Sequence, residues 1–182
     1  TRRSSDLIEK LVRINKSFIV KRSVSVRQML EVSGKLSNYI NNTIIARNQS
    51  IWLAQREGRA KDSNDKTQIS LLKMLVLNNR ANPIDALKQL NITPLSISYE
   101  YDPCDFLKAK EFQLKRDNAD YKKSQADDIE NMYTGMVEFK GRVNFKLCNP
   151  INTQLIDISP EVGRGEILQT VADIIDKEIY LN

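Results

Sequence analysis

The stretch Ile51-Trp52-Leu53-Ala54-Gln55-Arg56-Glu57-Gly58-Arg59-Ala60-Lys61 joins four apolar residues to a Glu-Gly pair set among three cations. A short apolar run followed by polar residues reads as a buried strand, with Trp52 in the core, and residues 55–66 read as a polar loop. A strand that releases glycine and arginine at its carboxyl end is how α/β proteins build anion sites. Glycine lets the backbone turn sharply and approach a ligand, and a guanidinium grips phosphate through two hydrogen bonds. Arg56, Glu57, Gly58, Arg59 and Lys61 are therefore candidate substrate-binding residues.

Upstream, Leu7, Ile8, Leu11, Val12 and Ile14 fall at helical spacing over 4–14. Phe18-Ile19-Val20 reads as a second buried strand, ended by Lys21 and Arg22. Ser25 with Gln28 three residues on is a capping-box signature. The helix behind it follows Val26, Met29, Leu30, Leu36, Ile40, Ile44 and Ile45 to residue 48. Downstream, residues 67–78 read as a buried helix through Leu71, Leu72, Met74 and Leu75. Asn82-Pro83-Ile84-Asp85 starts another, with an asparagine cap, proline at the first helical position and an acid in the first turn. Residues 92–99 read as a strand with Pro94 near its start, where a missing N–H matters least. Residues 105–140 read as two helices around a break at Asn118.

Arg142 to Leu147 alternates, with Val143, Phe145 and Leu147 on one face and Arg142, Asn144 and Lys146 on the other. That pattern predicts a half-buried strand at or near a sheet edge. Ser159-Pro160-Glu161 leads into a closing amphipathic helix along Ile167, Leu168, Val171, Ile174 and Ile175. Strands alternating with helices predict an α/β fold, a mainly parallel central sheet with helices on both faces, in a single-domain layer sandwich over residues 1–182.

The bulk numbers agree with one globular domain: 182 residues, 41% hydrophobic and 28% charged. Lys and Arg total 28 against 23 Asp and Glu, and there is no histidine. The resulting +5 suits a phosphate-bearing substrate or an anionic membrane surface and is too evenly spread to argue for nucleic acid. Two cysteines, Cys104 and Cys148, allow one bridge, but so thin a count points to a reducing compartment with free thiols. No apolar run approaches the about 20 residues that span a bilayer, and no signal-peptide pattern opens the chain. The chain begins at Thr1 within a charged helical stretch, which points to a fragment or processed chain with sequence upstream.

Four segments, in order, resemble the conserved blocks of the glycerol-3-phosphate and 1-acylglycerol-3-phosphate acyltransferases. Lys16-Ser17-Phe18-Ile19-Val20-Lys21-Arg22 resembles the second block, Gly-x-x-Phe-Ile-x-Arg, with Lys16 in place of the glycine. Gln55 to Lys61 resembles the third block, Glu-Gly-x-Arg, but Glu57-Gly58-Arg59 is one residue shorter. Arg56, Arg59 and Lys61 therefore share the place of the family arginine. Pro94-Leu95-Ser96-Ile97-Ser98-Tyr99-Glu100 resembles the fourth block, so the second to fourth blocks lie within 16–100. Gly141-Arg142-Val143-Asn144-Phe145-Lys146 with Asn149-Pro150-Ile151 is similar to the late strand, and the late strand and closing helix occupy 141–182. The first block, His-x-x-x-x-Asp, is missing.

The resemblance implies transfer of a fatty acyl group from a thioester, acyl-CoA or acyl carrier protein as co-substrate, to a hydroxyl of glycerol phosphate or a lysophospholipid, in phospholipid biosynthesis. A hydroxyl is a poor nucleophile near neutral pH and needs a positioned base. The resemblance assigns that base to a histidine upstream of Thr1, so this chain carries no catalytic residue and by itself is inactive. It leaves Arg22, Arg56, Arg59 and Lys61 to hold the acceptor phosphate, with Glu57 orienting the arginines and Gly58 shaping the turn. It implies no resident cofactor and no metal, and a cytoplasmic location, peripheral on the inner face of the membrane.

A second reading is a non-catalytic module that binds phospholipid or acyl carrier protein through its basic face. Cys104, in Asp-Pro-Cys-Asp, has two carboxylate neighbours and no histidine partner to activate it, so it reads as structural or incidental rather than as a nucleophile. Asp127-Asp128-Glu130 lacks the glycine and spacing of a calcium loop and reads as a solvated helix face.

Overall fold

A computed structural model describes residues 26–56, 58, 62, 64–159 and 161–182. The predicted helix over 4–14, the predicted strand at 18–20, Arg22 and the Ser25 cap lie outside the described residues. Helix α1, Val26–Asn41, runs into one π-helical turn, Asn42–Ala46. Asn48, at φ 50°, then takes the left-handed conformation that asparagine tolerates better than most residues. The predicted apolar face of α1 is buried only towards its carboxyl end: Ile40 is fully buried, whereas Met29 and Leu30 are exposed.

Helix α2, Ile69–Leu75, is followed by a 3-10 turn, Leu77–Asn79. Helix α3, Pro83–Leu90, starts as its sequence dictates: the Asn82 side chain accepts from the Asp85 N–H at 3.1 Å, satisfying an orphan donor of the first turn. Strand β1, Leu95–Tyr99, follows the buried Pro94. Helices α4, Asp105–Asp117, and α5, Gln125–Val137, flank the break at Asn118. A complete capping box opens α5: Ser124 accepts from the Asp127 N–H, and the Asp127 carboxylate accepts from the Ser124 N–H. Strand β2, Val143–Leu147, a 3-10 turn, Gln154–Ile156, and the closing helix α6, Arg164–Leu181, complete the order.

The core is mainly helical. Ile40 from α1, Leu72, Leu75 and Val76 at α2, Ile84, Leu87 and Leu90 from α3, and Ile167, Leu168, Val171 and Ile175 from α6 close around Ile151 and Leu155. The expected parallel sheet is not there: among the described residues the only sheet has two antiparallel strands. Leu95, Ile97 and Tyr99 lie opposite Leu147, Phe145 and Val143. The reason is connectivity. One crossover helix brings a chain back parallel, whereas the two helices α4 and α5 take it out and back, so β2 runs against β1. The fold is thus mixed α/β and mostly helical.

The deciding stretch also departs from expectation. Residues 51–54 are extended but lie in no sheet ladder among the described residues. Ile51 and Leu53 pack against the core, and the two-residue period of extended chain turns Trp52 outward, 79% exposed. β2, expected half-buried, exposes all five residues, with Phe145 at 65% and Leu147 at 69%.

β2 is entered through Gly141 at φ 63°, where a Cβ would lie 2.8 Å from Glu100 and Tyr101. The Glu100 carboxylate accepts from the Arg142 N–H at 3.0 Å and Nε at 3.2 Å, fixing that approach. Gly141→Ala is expected to lower stability by about 1–3 kcal/mol. Gly34→Ala, within α1 and with open space around it, should raise stability by about 0.5–1 kcal/mol. Urea unfolding midpoints of the two variants check the pair, and equal shifts would refute the close approach at Gly141.

Candidate functional site

A broad cleft of about 1600 Å³ opens between the π-turn and residues 48–56 and 58 on one side and β1, the α4–α5 arm and the end of α6 on the other. It exceeds the about 300–1,000 Å³ of ordinary small-molecule pockets. Its floor is apolar, with Leu72, Leu75, Leu90 and Ile175 contributed by the core. Among the described residues its cations are Arg56, Lys108, Lys123 and Lys140.

The loop that carries Arg56 is drawn shut at its neck. The Gln68 N–H donates to the Gln55 carbonyl at 2.9 Å, and Gln55 Nε2 donates to the Asp65 carbonyl at 2.6 Å. Within it Arg56 Nη1 lies 3.4 Å from Asp65 Oδ1 and 3.4 Å from the Asn64 carbonyl. Gly58 has φ 77°, a conformation that favours glycine, which is the physical need for a residue without Cβ at this turn. The loop is tied to the core by Thr67, whose N–H and Oγ1 both donate to Asp176 Oδ1 on α6, at 2.9 and 2.6 Å.

The other cations are also held. Lys108 pairs with Asp102. Lys123 pairs with Asp128 at 2.7 Å and reaches Glu111 at 3.8 Å, while Lys115 lies 2.9 Å from the same buried Glu111. Lys140 Nζ donates to the Met136 and Glu138 carbonyls. Burial pushes the Asp102 carboxyl up, but the bonds from Lys108 and from the Cys104 N–H outweigh it, and the group lies below the usual aspartate value.

Of the residues expected to bind substrate, Arg56 and Gly58 lie together on the wall of this cleft. Arg22, Glu57, Arg59 and Lys61 lie outside the described residues. Pro94, Leu95, Ser96, Ile97, Ser98 and Tyr99, from the segment that resembles the fourth block, line the same cleft. Sequence reading missed Gln55, Asp65, Thr67 and Asp176, which hold the loop. Thr67 and Asp176 are 109 residues apart, and no local pattern links them.

Cys104 and Cys148 are free and buried, and the Cys104 thiol donates to the Asn131 carbonyl, in line with a structural role. Among the described residues no three acidic, cysteine or histidine side chains gather as a metal site, and no helix is long and apolar enough to cross a membrane. The chain has no significant match to a protein-family model, a curated protein or a solved structure.

Because the folded Asp102 value lies below its unfolded one, its contribution to stability is fully present above the ordinary aspartate range and is lost as pH falls through the folded value. The Cys104 amide, which donates to Asp102, should report a titration midpoint below about 3.9 by NMR. Asp102→Asn should abolish that transition. A midpoint at or above the ordinary value would show that burial outweighs the Lys108 bond.

Proposed function

We propose that this protein is an O-acyltransferase that moves a fatty acyl group from a thioester, acyl-CoA or acyl carrier protein, to a hydroxyl of glycerol phosphate or a lysophospholipid. The observation that carries the reading is a meeting of distant segments. Arg56 and Gly58, from the third-block likeness, and residues 94–99, from the fourth, line one cleft although about 40 residues separate them. Its apolar floor suits an acyl chain, and its cationic wall suits a phosphate.

In this reading the residues of this chain serve the acceptor side. Arg56, together with Arg22, Arg59 and Lys61, binds the phosphate dianion and thereby holds its hydroxyl near a base. Each charge-assisted hydrogen bond of this kind contributes about 1.5–3 kcal/mol. Gly58 supplies the turn, and Glu57 orients the guanidinium groups. The chain has no histidine, so the reading draws its proton acceptor from a His-x-x-x-x-Asp block outside these 182 residues. The protein would work in the cytoplasm, peripheral on the inner face of the membrane that holds its substrate. The absence of histidine and the pairing of Arg56 with Asp65 favour, as a second reading, a module that binds phospholipid or acyl carrier protein without catalysis.

The test is an acyl-transfer assay of the protein expressed from its complete coding sequence, with acyl-CoA and acyl carrier protein as donors and sn-glycerol 3-phosphate and lysophosphatidate as acceptors. Turnover with at least one pair is expected, and vesicle binding without turnover would favour the second reading. Arg56→Ala should raise the acceptor KM by about tenfold or more, the equivalent of one lost charged hydrogen bond. Arg59→Ala and Arg22→Ala should do the same, with the donor KM nearly unchanged. Equal effects on both substrates would make these arginines scaffold or donor groups.

A further inference from the structure

We infer that Asp176, on the closing helix, is a positioning residue for the Arg56 loop. For its effect on turnover this rests on the acyltransferase reading. For its effect on the loop it rests on geometry alone. Five contacts run from helix to guanidinium. Asp176 Oδ1 accepts both the N–H and the hydroxyl of Thr67. The next residue, Gln68, donates its N–H to the Gln55 carbonyl, and the Gln55 side chain donates back to the Asp65 carbonyl. The Asp65 carboxylate then faces Arg56.

Each step has a reason to be specific. Thr67 is buried, so both of its donors must find acceptors, and one ionised oxygen takes both. Asp176 follows Ile175, which is packed in the core, so the helix cannot slide without moving the carboxylate. The carboxylate itself is only half-buried at the helix surface. Removing it leaves the apolar stripe of α6 intact while releasing the loop neck. The role is therefore separable from core stability, which a residue of the stripe could never be.

The experiment compares Asp176→Ala, Asp176→Asn and Asp173→Asn in two assays. Asp173 lies on an exposed face of α6 and accepts from Gln169 one turn earlier on the same helix, so it serves as the control. Under native conditions, trypsin should cut after Arg56 and Lys66 about tenfold faster in Asp176→Ala than in the parent chain, as expected for opening one charged anchor. Asp176→Asn should stay near the parent rate because its amide oxygen still accepts from Thr67, and Asp173→Asn should be unchanged. A rate in Asp176→Ala equal to the parent's, or a rise that only tracks global unfolding measured in urea, overturns the assignment.

In the protein from the complete coding sequence, Asp176→Ala should raise the KM for sn-glycerol 3-phosphate about tenfold with an unchanged donor KM, and Asp176→Asn should recover most of it. Parent-like kinetics in Asp176→Ala would overturn the role in the reaction. Loosening of the neck in a protein that transfers no acyl group in any form would uphold the positioning role and discard the acyltransferase reading.

Discussion

Burial of one face of α6 is the constraint on which the other elements depend. Leu168 and Val171 are completely buried, and Ile167, Ala172 and Ile175 nearly so. At about 1.5–3 kcal/mol for each large aliphatic side chain, this face contributes roughly 6–12 kcal/mol before ordering entropy is counted. The helix packs on α2, α3 and β1 at once. Its contacts with β1 and α2, and the bonds from Thr67 to Asp176, therefore tie both elements and the neck of the Arg56 loop to its register. A change that rotated α6 by one residue would bury Asp173 or Asp176 and expose the stripe, so the register is strongly specified.

Around that helix the polar chemistry is arranged as opposed pairs rather than as a concentration of bare charge. Arg56 faces Asp65, Lys108 faces Asp102, and Lys123 stands between Asp128 and the buried Glu111. Pairing of this kind fixes side chains in place, and the energies of the more exposed pairs are small. A ligand phosphate would have to compete with the carboxylates already present or join them. The cations Arg56, Lys108 and Lys123 that line the cleft are thus held in position by their own partners.

Helices were readable where local chemistry decides them. Asn82-Pro83-Ile84-Asp85 spells out its own cap, Asn118 marks the end of α4, and the period of Ile167, Leu168, Val171 and Ile175 marks α6. The sheet was not readable to the same depth. Alternation at 143–147 announces a strand but not its partner, nor whether that partner runs parallel, because both pairings place side chains on alternate faces. Four apolar residues at 51–54 looked like a buried strand, yet a period of two also describes extended chain that packs one side only, and Trp52 falls on the other side. Of the site, Arg56 and Gly58 were legible as a glycine turn beside a cation. The anchor was not, because a hydrogen bond between Thr67 and Asp176 leaves no trace in either neighbourhood.

The closed neck between Gln55 and Gln68 has an evolutionary corollary. When the two ends of a loop are bonded to each other and to a helix, adding or deleting a residue at its tip hardly changes the entropy of closure, which grows only slowly with length. Such a tip can drift in length and composition while the body beneath it stays the same. Natural selection can retune such a tip without renegotiating the hydrophobic interior.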